Sequence, residues 1–379
     1  MKLNNFCALP FMHLATHPNG CVGLCCEMDT LHGQALSQHD SNTRPNNLEK
    51  DSLEQIVNSN NFNRYRLEMS NNIWPEPCKV CSRQEEQGMV SKRIKENAKY
   101  ANTADKQKIL LDRMNTDGSL KTIDFEFIQL RLGNTCNLAC VTCNPISSSR
   151  WITDAKKLNE KLPWFENIYT GQHEWHESTE VFADIAKHST GLKELYINGG
   201  EPTLITAHFK MLEELIVTNT AKDINLHYSI NCTKIPIELL DMWKQFRHVL
   251  VSCSIDEIGD RNSYIRYPSK WEDIVSTFNT LYPYNKTNID ISITQTVSAF
   301  NVLRLDIFKN TINELWPNIG IYHNYLHTPS FQQAHTVTNQ QKENLIKLGQ
   351  FVEQLDKIRN TQFSSVFPEL DKLIHNAKT

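Results

Sequence analysis

Between residues 124 and 322 the chain alternates short apolar runs with longer stretches whose apolar positions recur every three or four residues. The runs are Asp124 to Leu132, Glu194 to Asn198, Ile224 to Asn231, Val249 to Ile255, Ile289 to Val297 and Ile319 to Tyr322. Each has the length and the Ile, Val, Leu and Tyr content of a β-strand. Between them, Phe209-Lys-Met-Leu-Glu-Glu-Leu-Ile and Pro236-Ile-Glu-Leu-Leu-Asp-Met-Trp carry apolar side chains along one helical face, and Pro236 suits a first helical turn. Six strand–helix units in succession predict a parallel α/β sheet. Periodicity alone leaves an open sheet and a partial barrel undecided. Beyond Ser330, the spacing of Leu345, Leu348, Val352, Leu355 and Ile358 predicts an amphipathic helix in a C-terminal extension over 331–379.

Ahead of this region the pattern differs. Pro10 to Cys26 reads as two short strands around a Pro18-Asn-Gly20 turn, and Asp51 to Asn60 reads as helical. Residues 102–122 are polar and contain Asn115-Thr-Asp-Gly118, a turn signal. They read as a linker between a small module over 1–101 and a core over 123–330.

Composition narrows the class. With 379 residues, 40% hydrophobic and 22% charged, the chain has the makeup of an ordinary globular protein. No apolar run approaches the ~20 residues that span a bilayer, and Met1 to Ala8 lacks the apolar core of a signal peptide, so no membrane partner is predicted and a cytoplasmic location is expected. A net charge of -4 provides no electrostatic footprint for nucleic acid. Lys92, Arg93, Lys95 and Lys99, in a mildly basic stretch, read as a solvated helix face.

Eleven cysteines change the picture. Where thiols stay reduced, such a number points to metal. Cys136-Asn-Leu-Ala-Cys140-Val-Thr-Cys143 offers three thiolates in a C-x3-C-x2-C spacing that matches neither ferredoxin nor structural zinc patterns and leaves a fourth coordination position open. A second group lies nearer the N-terminus. The hairpin would bring Cys7 beside Cys25, and Cys78-Lys-Val-Cys81 supplies a compact pair. Four thiolates close a site, for iron–sulfur or for zinc on ligand type alone. By strand alternation Cys26 faces opposite to Cys25 and reads as a small core residue, although whether Cys25 or Cys26 completes the set stays open. Cys21 lies near the turn, and Cys232 and Cys253 read as buried apolar residues. His13 and His17 read as surface or packing histidines, with tuning of a cluster or contact with substrate as the alternative.

The three-cysteine loop, followed some sixty residues later by Tyr196-Ile-Asn-Gly199-Gly200-Glu201-Pro202, resembles the radical S-adenosylmethionine (SAM) enzymes. Thr142 stands where that family usually has an aromatic residue. The resemblance implies a partial (β/α)6 TIM-like barrel with its chemistry at the C-terminal ends of the strands. It implies a 4Fe-4S cluster on Cys136, Cys140 and Cys143 and SAM against Gly199, Gly200 and Glu201. Asn231 and Ser254, with Ser229 behind them, carry groups suited to a ribose, and Arg266 offers a guanidinium for the SAM carboxylate. Read without the family, these are ordinary strand-end polar residues and a surface arginine.

Cys7, the Gly20-x4-Cys25 spacing, the helical link, Arg66 and Cys78-x2-Cys81 resemble the auxiliary-cluster modules of the same enzymes, the SPASM and shorter twitch domains, here preceding the barrel. One auxiliary 4Fe-4S cluster on Cys7, Cys25, Cys78 and Cys81 follows. The implied activity is reductive cleavage of SAM to a 5'-deoxyadenosyl radical that takes a hydrogen atom from substrate. A peptide or protein is the first substrate class, through oxidation, crosslinking or epimerisation. Small-molecule dehydrogenation or rearrangement is the second. An external donor such as flavodoxin or ferredoxin would supply the electron, and no residue is assigned as hydrogen donor. An electron carrier or zinc-stabilised scaffold is the non-enzymatic alternative, disfavoured by the incomplete triad. The segment from Asn144 to Ser178, with Trp151, Trp164, Phe165, His173, Trp175 and His176, reads as aromatic packing onto the barrel, with a roof over the substrate pocket as the alternative.

Overall fold

The computed structural model describes residues 3–28, 30–31, 34–35, 46–165 and 173–379. Its strands are β1 (His13–Thr16), β2 (Val22–Gly23), β3 (Thr30–Leu31), β4 (Gln34–Ala35), β5 (Phe127–Leu132), β6 (Glu194–Gly199), β7 (Asn225–Ile230), β8 (His248–Ser254), β9 (Ile289–Val297) and β10 (Gly320–Tyr325). Eight of them form one sheet in the order β10-β9-β8-β7-β6-β5-β1-β2, while β3 and β4 pair separately. From β5 to β10 every neighbour is parallel and consecutive in the chain, with helices on the crossovers. The partial barrel expected above is what forms, and its six strands are the six apolar runs.

Boundaries shift for local reasons. The first run begins at Phe127 rather than Asp124, because the Asp124 carboxylate accepts from Gly191 N and Thr190 Oγ1 and so ties the entry of β5 to the turn ahead of β6. The last strand extends past Tyr322 to Tyr325 by pairing with β9 as far as Val297. Pro236 is the residue before the helix Ile237–Trp243 rather than its first helical position.

Alternation sorts the two faces of the sheet. Ile128, Leu130, Leu195, Ile197, Leu226, Tyr228, Val249, Val251 and Ile291 point outward, buried beneath the helices. The opposite, inner face carries Gln129, Arg131, Tyr196, Asn198, His227, Ser229, Ser252, Ser254, Ser292 and Thr294, the makeup of a lumen that admits polar groups. Cys232 and Cys253 are fully buried, as expected.

The N-terminal module is continuous with the barrel. Strand β1 pairs antiparallel with β2, as the hairpin pattern predicts, and parallel with β5 through His13↔Phe127, Leu14↔Ile128 and Ala15↔Gln129. Phe6, Leu9, Phe11, Met12 and Leu14 belong to the same apolar core as Ile128 and Leu195. Within 102–122, a helix (Ala104–Leu111) and a bridge between Met114 and Leu120 form a packed connection. Asn58 bonds Leu120 through both its N–H and its carbonyl, and Arg66 donates to Gly118 O, Pro10 O and Val57 O. Arg66 thereby fastens hairpin, link and connection together.

The basic stretch departs from the expected solvated face. In the helix Lys92–Tyr100, Arg93 pairs with Glu85, donates to the carbonyls of Asn4 and Phe6 and lies over Trp74. Lys92 pairs with Glu96 and lies over the Phe127 ring, and Lys99 reaches Glu194. Only Lys95 of the four remains a plain surface charge. Sequence periodicity could not register that this helix packs back over the N-terminal cysteines.

At the other end, the helices Lys342–Arg359 and Pro368–Lys378 close a second apolar cluster with Ala139, Val141, Trp151 and Leu158. This cluster lies beneath the three-cysteine loop.

Candidate active site

The loop leaves β5 through Gly133, whose φ of +51° is a left-handed value that L side chains rarely adopt and whose absent Cβ would meet the His176 ring at 2.2 Å. Its backbone is then pinned on several sides. Ala139 N donates to Tyr267 O at 2.6 Å and Val141 N to Ile265 O at 2.7 Å. Trp151 Nε1 donates to Cys140 O at 2.6 Å, and Arg359 donates to Ala139 O at 2.7 Å while pairing with Asp154 at 2.8 Å. The Arg359 guanidinium lies over both the Trp151 and Tyr267 rings. Sequence reasoning missed this clamp: Arg359 is 220 residues from the carbonyl it holds, and no local signal links them.

Cys136, Cys140 and Cys143 line a cavity of about 250 Å³ together with Thr142, Asn198, Gly199, Gly200, Glu201, Ser229, Asn231, Ser254, Arg266 and Thr296. All seven residues expected around SAM therefore border the same space as the three thiols. Burial pushes Cys136 and Cys143 up to about 12, reinforced by the neighbouring thiols, and raises Cys140 as well. Arg266 acts in the opposite sense on all three.

The individual roles are sharper than the sequence allowed. A Cβ on Gly199 would stand 2.5 Å from the Leu132 backbone, and one on Gly200 would stand 2.2 Å from Thr135 O. The glycine pair therefore brings the end of β6 against the chain's own three-cysteine loop, a contact completed by Glu201 N donating to Thr135 O. Glu201 is buried and both its oxygens are engaged, one by Thr203 N and Oγ1, the other by Asn231 N at 2.6 Å. It braces the ends of β6 and β7. Asn231 donates to Asn137 Oδ1 and accepts from Thr233, and Ser229 bonds the Tyr196 hydroxyl. Arg266 is no surface arginine: it is buried, pairs with Asp256 at 2.9 Å and leaves its Nε without a partner.

The N-terminal cysteines gather in a second recess. Cys7, Cys25, Cys78 and Cys81 line it with Leu9, Leu24, Met69 and Trp74. Burial raises Cys7 to about 12 and lifts Cys25 and Cys78 further, with the other thiols of the group adding to the effect. Cys25, not Cys26, faces this recess. The expected core placement of Cys26 does not hold, because β2 ends at Gly23 and alternation stops there. Cys26 is half-buried, and its thiol meets Gln129 and the field of Lys92 and Arg131. Cys21 is buried at the turn beside Asn47. His13 and His17 are buried packing residues, His13 stacked on Phe127, and burial lowers them to about 3 and about 4. Among the described residues no three His, Cys, Asp or Glu side chains close on a single ion; the thiols line their recesses. Two sets of soft donors, one of three and one of four, fit clusters of the iron–sulfur kind.

The aromatic segment after the loop packs, but chiefly against the N-terminal hairpin and the C-terminal extension rather than the barrel strands. Trp151 and Trp175 are buried, Trp175 donating to Pro18 O; Trp164 meets Phe331, Phe165 meets Phe351, and His176 bonds Thr135. Residues 166–172 of that segment lie outside the described residues.

Comparison with known families agrees with this geometry. Residues 130–299 match the radical SAM superfamily, and residues 7–82 match SPASM, an iron–sulfur cluster-binding domain. The chain carries a radical SAM domain and, ahead of it, a SPASM-type module. Its cofactors are accordingly SAM and 4Fe-4S clusters. No curated protein matches the chain. Among solved structures, native anSMEcpe with bound AdoMet is similar at 15% identity and a TM-score of 0.40, with 62% of each chain covered. Streptococcus suis SuiB bound to precursor peptide SuiA is similar at 10% identity and a TM-score of 0.37, covering 78% of this chain and 64% of that one. The chain thus spans less than two thirds of the length of either. No helix among the described residues is long and apolar enough to cross a membrane.

Proposed function

We propose that the protein is a radical SAM enzyme that modifies a peptide or protein substrate. The observation that supports it most is the convergence of the three loop thiols, the glycine-pair strand end and Arg266 on one cavity. In this reading Cys136, Cys140 and Cys143 hold the SAM-binding cluster, and Cys7, Cys25, Cys78 and Cys81 hold the auxiliary one. When bound, the first cluster and SAM supply, with an electron from a donor such as flavodoxin or ferredoxin, a 5'-deoxyadenosyl radical that takes a hydrogen atom from substrate.

The chain's own residues do the positioning. Arg266, held by Asp256 and with Nε free, offers a fork to the SAM carboxylate. Ser254 and the Asn231 amide face the same cavity with ribose-compatible groups. Gly199, Gly200 and Glu201 keep the end of β6 against the loop, so SAM meets a fixed wall. A large substrate is favoured by the open edge of the sheet, where the residues of β10 are exposed or half-exposed along the lumen's flank. An auxiliary cluster beside that lumen suits a net oxidation or crosslink, because it can accept the electron of the substrate radical. Oxidation of a small molecule by the same chemistry is the second reading.

The test is anaerobic reconstitution with iron and sulfide, then SAM and dithionite, with 5'-deoxyadenosine measured against a Cys136/Cys140/Cys143 triple-alanine control. Formation by the wild type alone is expected. Equal, absent product with clusters assembled and SAM bound would end the enzyme reading. A mass shift in members of a displayed peptide library, dependent on SAM, then separates peptide from small-molecule chemistry.

A further inference from the structure

One cation inside the barrel has no carboxylate partner among the described residues. Arg131 is on β5 with its side chain on the lumen face, between Gln129 two residues earlier and Asn198, its register partner on β6. It is half-buried, yet among the described residues its guanidinium makes neither an ion pair nor a hydrogen bond. The other arginine of the cavity, Arg266, has Asp256. The groups that feel Arg131 are thiols, a phenol and an imidazole: Cys26, Tyr196, Cys143 and His17. Burial lowers its pKa, and no carboxylate offsets that effect. Its neighbours are short of partners as well. His17 Nε2, Gln129 Oε1 and Asn198 Oδ1 are all buried and without a hydrogen bond. A half-buried guanidinium beside three polar atoms that have no protein partner is a setting suited to a polar ligand.

The location gives this cation a purpose. Asn198 also lines the cavity of the three-cysteine loop, and Cys26 directly follows Cys25 of the second recess. Arg131 therefore lies between Asn198 and Cys143 of the first cavity and the residue next to Cys25 of the second recess. We propose that Arg131 anchors a carboxylate of the substrate on the lumen floor, with His17 Nε2 placed to donate to it and Gln129 Oε1 and Asn198 Oδ1 placed to accept from N–H groups of the same substrate. Guanidinium matches carboxylate geometry through paired N–H donors, and the match fixes orientation as well as affinity. The substrate class is thus an acidic one: a peptide with an Asp or Glu side chain, or a free carboxylate, next to the carbon that loses hydrogen. This inference builds on the reading that the lumen is the substrate site. SAM brings a carboxylate of its own, so the test must separate the two sources.

Cluster-loaded, SAM-bound protein is titrated anaerobically by calorimetry with N-acetylglutamate N-methylamide and with its glutamine analogue. Wild type should bind the glutamate probe at millimolar concentrations and the glutamine probe at least about tenfold more weakly, the difference a charge-assisted bidentate bond makes. Arg131→Gln should lose about tenfold for the glutamate probe, and Arg131→Lys should lose less. Both variants should keep wild-type iron content and SAM affinity, which excludes a folding defect. Equal binding of the two probes, binding of neither, or an Arg131→Gln variant that binds as wild type would overturn the proposal. So would loss of SAM affinity in Arg131→Gln, since the guanidinium would then serve the cofactor. If the glutamate probe binds through Arg131 while no library peptide is modified, the peptide reading falls and the carboxylate subsite stands.

Discussion

A single hydrogen atom on Gly200 is what allows the two halves of the site to touch. Any side chain there would meet Thr135 O at 2.2 Å, well inside contact distance, and the neighbouring Glu201 N could no longer donate to that carbonyl. Gly200→Ala should therefore displace the three-cysteine loop, lowering SAM affinity by at least about tenfold, the equivalent of one lost backbone hydrogen bond with its clash. Gly88→Ala is the control: its φ of +74° makes alanine strained, but nothing lies within 4 Å, so SAM affinity should not change. Equilibrium SAM binding to the two reconstituted variants decides the matter, and equal affinities would remove the glycine pair from the site. The sequence revealed that glycines were needed at this strand end. It could not reveal what they approach, because Thr135 is 65 positions away and only the β5–β6 register brings the two together.

At the scale of elements, the barrel strands were legible because each buries one apolar face under a helix and so repeats with a readable period. The clamp on the three-cysteine loop was not, since it is assembled from one arginine at the end of the helix Lys342–Arg359, one tryptophan and two loop carbonyls. Arg359 is almost wholly buried, and its charge is balanced by Asp154 and by two aromatic faces. Its replacement by methionine keeps volume but leaves Ala139 O and Asp154 without their donor, a change that costs about 3–5 kcal/mol when a buried pair is broken. The damage should be confined to the second apolar cluster. Arg359→Met should then fall from about eight irons per chain to about four, and retain the signal of the auxiliary cluster. Cys78→Ala with Cys81→Ala should show the complementary loss while still cleaving SAM. Iron content and electron paramagnetic resonance of the two proteins read this directly. If Arg359→Met kept a full complement of iron and wild-type SAM cleavage, the clamp would be ornament to the loop rather than its support.

For the whole molecule, the consequential departure from the sequence pattern is the seam between β1 and β5. A polar stretch with an Asn-Thr-Asp-Gly turn reads as a linker because local composition is all that can be seen. Its turn is in fact bonded from below by Arg66 and Asn58, residues of the module it was meant to separate. The module contributes a strand to the barrel's sheet, and Phe6, Leu9, Phe11, Met12 and Leu14 to its core. Burial of side chains of this size is worth roughly 1.5–3 kcal/mol each. Five of them approach the entire net stability of a typical domain, about 5–15 kcal/mol. A chain of residues 123–379 would also bare the outer edge of β5, an unpaired strand edge prone to aggregation. It should be recovered insoluble or as an expanded species that binds a hydrophobic dye and shows no cooperative unfolding. A soluble, cooperatively folded fragment that still binds SAM would mean that the seam is a contact between two independent domains, and the linker reading would return. The distinction bears on function, because a shared sheet fixes the distance between the two thiol recesses. Arg131 extends from the strand at that seam, so a substrate held there would meet both recesses at a spacing set by strand pairing rather than by the reach of a flexible tether.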